Sequence, residues 1–171
     1  MKIYLAGPLG FSEAGRAFHE KTIVPMLERS GHTVLDPWKL TDGKKIARVN
    51  ALPYGAAKRR KWAALNREMG ANNARAIAQC DLVFAVLDGV DVDSGTAAEI
   101  GYAFALGKPI LGYRGNFRLS ADNEGSTVNL QVEYFIRASG GRIISSVRDF
   151  STALSRIQRK PKMRLKPRAA R

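Results

Sequence analysis

Asp88, Asp91, Asp93 and Glu99 place four carboxylates in one short stretch of the chain, separated by valines, glycines and the small polar run Ser94-Gly95-Thr96. Such a concentration of like charge shifts pKa values and is characteristic of functional sites. A helical pattern begins with Ala97, Ala98 and Glu99, so Glu99 is expected in a first helical turn, among unpaired N–H groups that favour its ionised form. A positioned, ionised carboxylate can act as a nucleophile. The plainer alternative is that Glu99 only starts a helix, since acids are common in first turns.

The flanking residues define the elements that must hold these groups. Residues 82–87 form a continuous apolar run of strand length, suited to burial on both faces. Gly107 and Pro109 end the helix that carries Glu99, and 109–113 is a further apolar strand. Strand, crossover helix and parallel strand make a right-handed βαβ unit, whose ligands bind beyond the carboxyl ends of the strands. Upstream, 2–6 reads as a strand broken by Gly7-Pro8. A helix follows, bearing Phe18, Ile23, Met26 and Leu27 and kinked by Pro25, and 33–35 is a second strand ended by Asp36-Pro37-Trp38. The glycines between Gly7 and Gly15 fit neither phosphate-loop spacing and are read as a turn or as a close approach to a small ligand.

Residues 39–60 are irregular and polar, with the basic cluster Lys58-Arg59-Arg60-Lys61, and are expected to form a flap over the site. Residues 63–80 are helical. Asn72 and Asn73 are poor helix-interior residues, so either both face solvent or one directs its amide into the site. A polar loop over 114–125, a helix over 127–139, a strand from Ile143 and a last helix over 151–157 complete the order. The breadth of the apolar surface on the 127–139 helix suggests burial on two faces, one of them against a second subunit. The expectation is an α/β, flavodoxin-like, doubly wound sheet of five parallel strands in order 2-1-3-4-5, with helices on both faces.

Composition narrows the function classes. The 171 residues suffice for one domain with a sizeable core, here placed at 1–157. One cysteine, Cys80, excludes an intrachain disulfide framework; its place beside a buried strand suits a structural thiol, and a cytoplasmic location is expected. No run of apolar residues is long enough to span a membrane, and the N-terminus reads as a strand rather than a signal peptide. The net charge of +13 is concentrated at the end: the eight basic residues from Arg156 onward meet no acid, and without them the charge is about +5. Residues 158–171 therefore read as a basic, disordered tail, which either solubilises the protein or contacts an anionic partner.

Three motifs in order, Ile3-Tyr4-Leu5-Ala6-Gly7-Pro8, Asp93-Ser94-Gly95-Thr96-Ala97-Ala98-Glu99-Ile100-Gly101-Tyr102-Ala103 and Val128-Asn129-Leu130-Gln131, resemble those of the nucleoside 2-deoxyribosyltransferases. The resemblance spans most of residues 1–155. It implies the flavodoxin-like fold, cofactor-free transfer of a 2-deoxyribosyl group between nucleobases, and a homo-oligomer whose sites are completed across subunit contacts. It makes Glu99 the nucleophile at the anomeric carbon and Tyr4 the hydroxyl that orients it. Asp93 would hold the deoxynucleoside, Asn129 would reach the sugar 5′-hydroxyl from a neighbouring subunit, and Gly7, Pro8 and Phe11 would line the base pocket. No metal is implied. Several relatives carry an aspartate, used on the nucleobase, where this chain has Asn73; as a substrate-binding residue its amide can hydrogen-bond a base edge but cannot donate a proton as an acid would, and Asp93 is the nearest substitute.

Two rival readings stand beside this one. Related N-glycoside hydrolases cleave deoxynucleoside or ribonucleoside 5′-monophosphates, but Asp93 would repel a phosphate dianion and suits a 5′-hydroxyl; hydrolysis of a (deoxy)nucleoside, with water attacking the glycosyl-enzyme, is the other form of this alternative. A nucleic-acid-binding module using the basic tail would bind in a salt-dependent way. Few aromatic residues lie beside the basic clusters, so nucleic acid is not the expected partner.

Overall fold

The structure, a computed structural model, describes residues 1–159. Five parallel strands form one sheet in the order β2-β1-β3-β4-β5: β1 Lys2–Ala6, β2 Thr33–Leu35, β3 Leu82–Val86, β4 Ile110–Tyr113 and β5 Arg142–Ile144. Every residue of the central β3 is buried, as its unbroken apolar sequence requires of a strand covered on both faces. Registers such as Tyr4 opposite Val83 and Phe84 opposite Leu111 bring the carboxyl ends of β1, β3 and β4 to one edge.

Alternation along the strands divides the core in two. Tyr4, Ala6, Val83, Ala85 and Leu87 face one side and pack against Ala76, Ile77, Ile100, Ala103, Val132 and Ile136. These belong to helices α4 (Ala56–Gln79), α5 (Ser94–Ala105) and α6 (Leu130–Ala138). On the other face Ile3, Leu5, Phe84 and Val86 meet Ile23, Val24 and Leu27, together with Phe150, Ala153 and Leu154 of α7 (Phe150–Arg159). Burying each of the Val, Leu, Ile and Phe side chains among them contributes about 1.5–3 kcal/mol, so these two layers supply most of the stabilisation.

The first crossover helix is interrupted. α1 (Glu13–Phe18) leads into a π-helical turn, His19–Ile23, and then α2 (Val24–Arg29). Pro25 has no N–H to offer the preceding turn and its ring crowds that turn's carbonyl. The wider turn accommodates this, with the Val24 N–H bonding the His19 carbonyl five residues back. The kink expected at Pro25 is therefore a π turn just before it.

Residues 39–60 are not irregular. α3 (Gly43–Asn50) is capped by Asp42, and α4 begins at Ala56, well before residue 63. The basic cluster lies in the opening turns of α4, where cations are disfavoured by the helix dipole. Lys58 escapes by reaching back to the carbonyls of Asn50 (2.6 Å) and Leu52 (2.9 Å), satisfying the end of α3. Lys45 pairs with Glu68 at 2.6 Å, joining the two helices.

α6 starts at Leu130 rather than 127, and α7 runs two residues beyond 157, so Gln158 and Arg159 belong to a helix and not to the tail. The rest of the expected tail, 160–171, lies outside the described residues. Cys80 is buried at the end of α4, with its thiol donating to the Ile77 carbonyl; burial pushes its pKa up, as befits a structural thiol. No helix among the described residues is long and apolar enough to cross a membrane.

Candidate active site

Glu99 enters the carboxyl edge of the sheet from α5, and its position in that helix differs from expectation. Asp93, not a residue near Ala97, caps the helix: Asp93 Oδ2 accepts from the Thr96 N–H (2.9 Å) and the Thr96 hydroxyl (3.0 Å). Glu99 is thus in the second turn, past the unpaired N–H groups, where the dipole has faded. Burial is the largest influence on its carboxyl and raises its pKa. The Tyr4 hydrogen bond lowers it, the Asp93 charge raises it, and the net shift is upward. The expectation that the helix start favours an ionised Glu99 is overturned for this reason.

Tyr4 lies in the middle of β1, fully buried, and its hydroxyl donates to Glu99 Oε1 at 2.5 Å. Burial, reinforced by the neighbouring Glu99 carboxylate, pushes the Tyr4 phenol far above its ordinary range. Tyr4 therefore remains a proton donor to Glu99 at any working pH. Asn73, on α4, directs Nδ2 to the same oxygen at 3.4 Å. Its neighbour Asn72 turns away, donating to the Leu40 carbonyl and Thr41 Oγ1 at 3.2 Å each. Of the two asparagines, one reaches the site and the other fastens the chain beside it.

The other loop carboxylates are structural. Asp88 accepts the Asn116 N–H (2.8 Å) and Asp91 the Val92 N–H (2.7 Å), and neither influences Glu99. The buried Arg114 guanidinium binds the carbonyls of Leu87 (2.6 Å) and Arg118 (2.7 Å), bracing the loop between β3 and α5. Of the loop carboxylates Asp93 alone couples electrostatically to Glu99, so the four carboxylates are not one cluster.

Gly7 and Pro8 leave the carboxyl end of β1. Gly7 has φ +156°, and a Cβ there would lie 2.9 Å from Val86 Cβ, so backbone passes where a side chain would not fit. Phe11 closes the short 3-10 turn Leu9–Phe11 and is 74% exposed. Its ring meets Trp38 edge-to-face, with centroids 4.9 Å apart. Asn129 caps α6, its Oδ1 accepting from the N–H groups of Gln131 (3.0 Å) and Val132 (3.4 Å). Among the described residues it shares no hydrogen bond with Tyr4, Asn73, Asp93 or Glu99. The single chain therefore brings together Tyr4, Asn73 and Glu99, with Asp93 one and a half turns back on the same helix, while Asn129 is engaged in its own cap. Trp38 and the buried pair His19–Asp36 were not singled out by the sequence reading. Their one signal was a carboxylate and an indole directly after a strand's carboxyl end.

A family model for nucleoside 2-deoxyribosyltransferase matches residues 3–131, which include Tyr4, Asn73, Asp93 and Glu99. The chain belongs to that family. It is an enzyme of the nucleoside deoxyribosyltransferase type, and solved structures agree with the fold. The 2-deoxyribosyltransferase of Bacillus psychrosaccharolyticus is 26% identical, with 88% of this chain and 90% of that one covered and a TM-score of 0.57. That of Leishmania mexicana is 24% identical over 92% and 97%, TM-score 0.59. A CMP N-glycosidase from Clostridium botulinum shares the fold at 21% identity over 91% and 98%, TM-score 0.54. No curated protein matches the chain at a significant level. Among the described residues no group of three or more His, Cys, Asp or Glu could hold a metal ion.

Proposed function

We propose that the enzyme transfers a 2-deoxyribosyl group between nucleobases by double displacement through Glu99, within nucleoside salvage. The observation that carries this reading is the Tyr4–Glu99 hydrogen bond, buried at the carboxyl edge of the sheet. A carboxylate oriented by a permanently protonated phenol and poorly solvated is an activated nucleophile. Glu99 forms a bond to C1′ as the C1′–N bond breaks, and the departing base takes its proton from solvent water. A second base then attacks C1′, expels the carboxylate and loses its own proton. A deoxyriboside lacks the electron-withdrawing 2′-hydroxyl, so its oxocarbenium-like transition state is accessible, and two inversions give retention.

Asn73 hydrogen-bonds Glu99 and cannot act as an acid toward the leaving base. Asp93 spends Oδ2 on its cap, leaving Oδ1 to meet a sugar hydroxyl. Asn129 enters from a second copy. In support, Tyr102 of α5, Leu106 at its C-cap, and Leu130 and Tyr134 of α6 are all at least 41% exposed, an apolar face beginning beside Asn129. Light scattering should give a dimer or larger assembly.

Incubation with deoxyinosine or thymidine, with and without adenine, tests the reaction. Deoxyadenosine should appear only with adenine present and be lost in Glu99→Ala. Free base released equally fast without an acceptor would make the enzyme a hydrolase, to be assayed on 5′-monophosphates.

A further inference from the structure

A cleft opens at the end of the sheet that the reaction does not use. Arg142 is the first residue of β5, and because the strands are parallel it stands at the amino edge, across the sheet from the carboxyl edge that Glu99 enters. The turn that delivers it is tight. Gly140 has φ +86°, and a Cβ at Gly141 would run into the Ile110 carbonyl oxygen, so only glycine fits there. This turn holds Arg142 beside the end of α7, which packs on β5. Arg142, Arg156 and Arg159, with Gly140 and Ile157, line a cleft of about 260 Å³. Arg156 and Arg159 are three residues apart and so share a face of α7, while the half-buried Ile157 packs on the core and gives the cleft an apolar wall.

Each arginine has an ordinary reason for its place. Cations suit the last turn of a helix, and charged side chains guard an edge strand such as β5. Neither reason brings three guanidinium groups to one opening, where like charges repel. The lining contains no acid, and among the described residues none of the three forms an ion pair or donates a side-chain hydrogen bond. Asp149 is the only acid after Glu133, and the Glu133 carboxylate is already taken by Arg137 and the Thr127 N–H. The positive charge of the cleft is therefore uncompensated from within the fold, which attracts an anion.

We propose that this cleft binds a phosphate monoester through Arg142, Arg156 and Arg159, apart from the reaction at Glu99. A guanidinium pairs with phosphate oxygens through a planar fork of N–H donors. Three such forks exceed what the two oxygens of a carboxylate can use, and they match the three terminal oxygens of a monoester. A water molecule's share of liquid volume is about 30 Å³, so a cleft several times larger also has room for the organic part of the ester against Ile157. Neither Glu99 nor base exchange enters the argument, so the proposal stands independently of the deoxyribosyl-transfer reading.

Magnetic resonance of the full chain, labelled with nitrogen-15 and titrated with deoxyadenosine 5′-monophosphate, reads the arginine Nε–H groups directly. Three signals should shift together and saturate, and they should be those missing from Arg142→Gln, Arg156→Gln and Arg159→Gln. The double variant Arg142→Gln/Arg156→Gln should weaken binding at least about tenfold, the loss expected for hydrogen bonds between charged groups. Lys44→Gln/Arg48→Gln removes the same charge from exposed positions on α3 and should leave the affinity within about twofold. Deoxyadenosine, which lacks the phosphate, should leave the three signals in place. A short oligodeoxynucleotide without terminal phosphate offers only diesters, with two free oxygens each, and should bind these arginines at least about tenfold more weakly. Arginine signals that the monophosphate does not move, an equal loss of affinity in the α3 variant, or equal affinity for the diester would each overturn the proposal. The readout is binding at the arginines, so it decides the matter whether or not the enzyme exchanges bases.

Discussion

At Glu99 three influences compete, and burial wins over the Tyr4 hydrogen bond, with Asp93 adding to the upward shift. Because the native pKa exceeds the unfolded value, the native state binds the Glu99 proton more tightly. The associated stability is fully present below the unfolded pKa and is lost as pH rises through the native one. Glu99→Gln should therefore raise the unfolding temperature near about pH 8 and leave it unchanged near about pH 4, despite abolishing activity. The same balance sets the acid limb of the rate profile, where the nucleophile gains its proton. Tyr4→Phe removes the bond that lowers the Glu99 pKa, so this limb should move to higher pH. Losing a hydrogen bond to a charged group should also cost roughly ten- to a hundredfold in rate. Asp93→Asn removes a neighbouring negative charge and should move the limb the other way. Limbs that coincide in wild type and both variants would show that Glu99 does not govern it.

At the scale of elements, α5 is the part on which the site depends, and Asp93 sets where it begins. Asp93→Ala removes the cap and leaves the buried Thr96 hydroxyl unpaired, at a combined cost of about 2 kcal/mol, measurable by urea unfolding. Asp93→Ser, which can still cap, should restore most of that stability without restoring activity if Oδ1 serves the substrate. The strands, their order and the pairing of Tyr4 with Glu99 were legible because buried parallel strands are written as short apolar runs and because the family motifs are dense. Helix starts were not. Asp93-Ser94-Gly95-Thr96 reads as loop by composition, since cap and loop use the same residues. The opening turns of α4 carry charges and alanines with no apolar stripe, because that half of the helix packs on α3 rather than the sheet.

For the whole molecule, the doubly wound sheet buries both faces of β3 and leaves an apolar surface over α5 and α6. The six basic residues within 160–171 supply nearly half of the +13 net charge. Removing 160–171 should sharply reduce salt-dependent retention on a polyanionic resin while base exchange stays within about twofold, since no site residue lies there. A truncated enzyme that loses base exchange would place the tail in the reaction. Conversely, if the proposed shared site is right, Tyr134→Glu on the apolar face should yield a monomer of lowered activity, because Asn129 would no longer reach a neighbouring site; an active monomer would refute the shared site.

The central claim is that Glu99 becomes covalently glycosylated. Mixing the enzyme with a deoxynucleoside in the absence of any acceptor, quenching with acid and weighing the peptide that contains Glu99 tests it directly. One 2-deoxyribosyl group is expected on Glu99, released as a new nucleoside when adenine is added before the quench. Full base exchange with no adduct on that peptide, or exchange retained in Glu99→Ala, would contradict it.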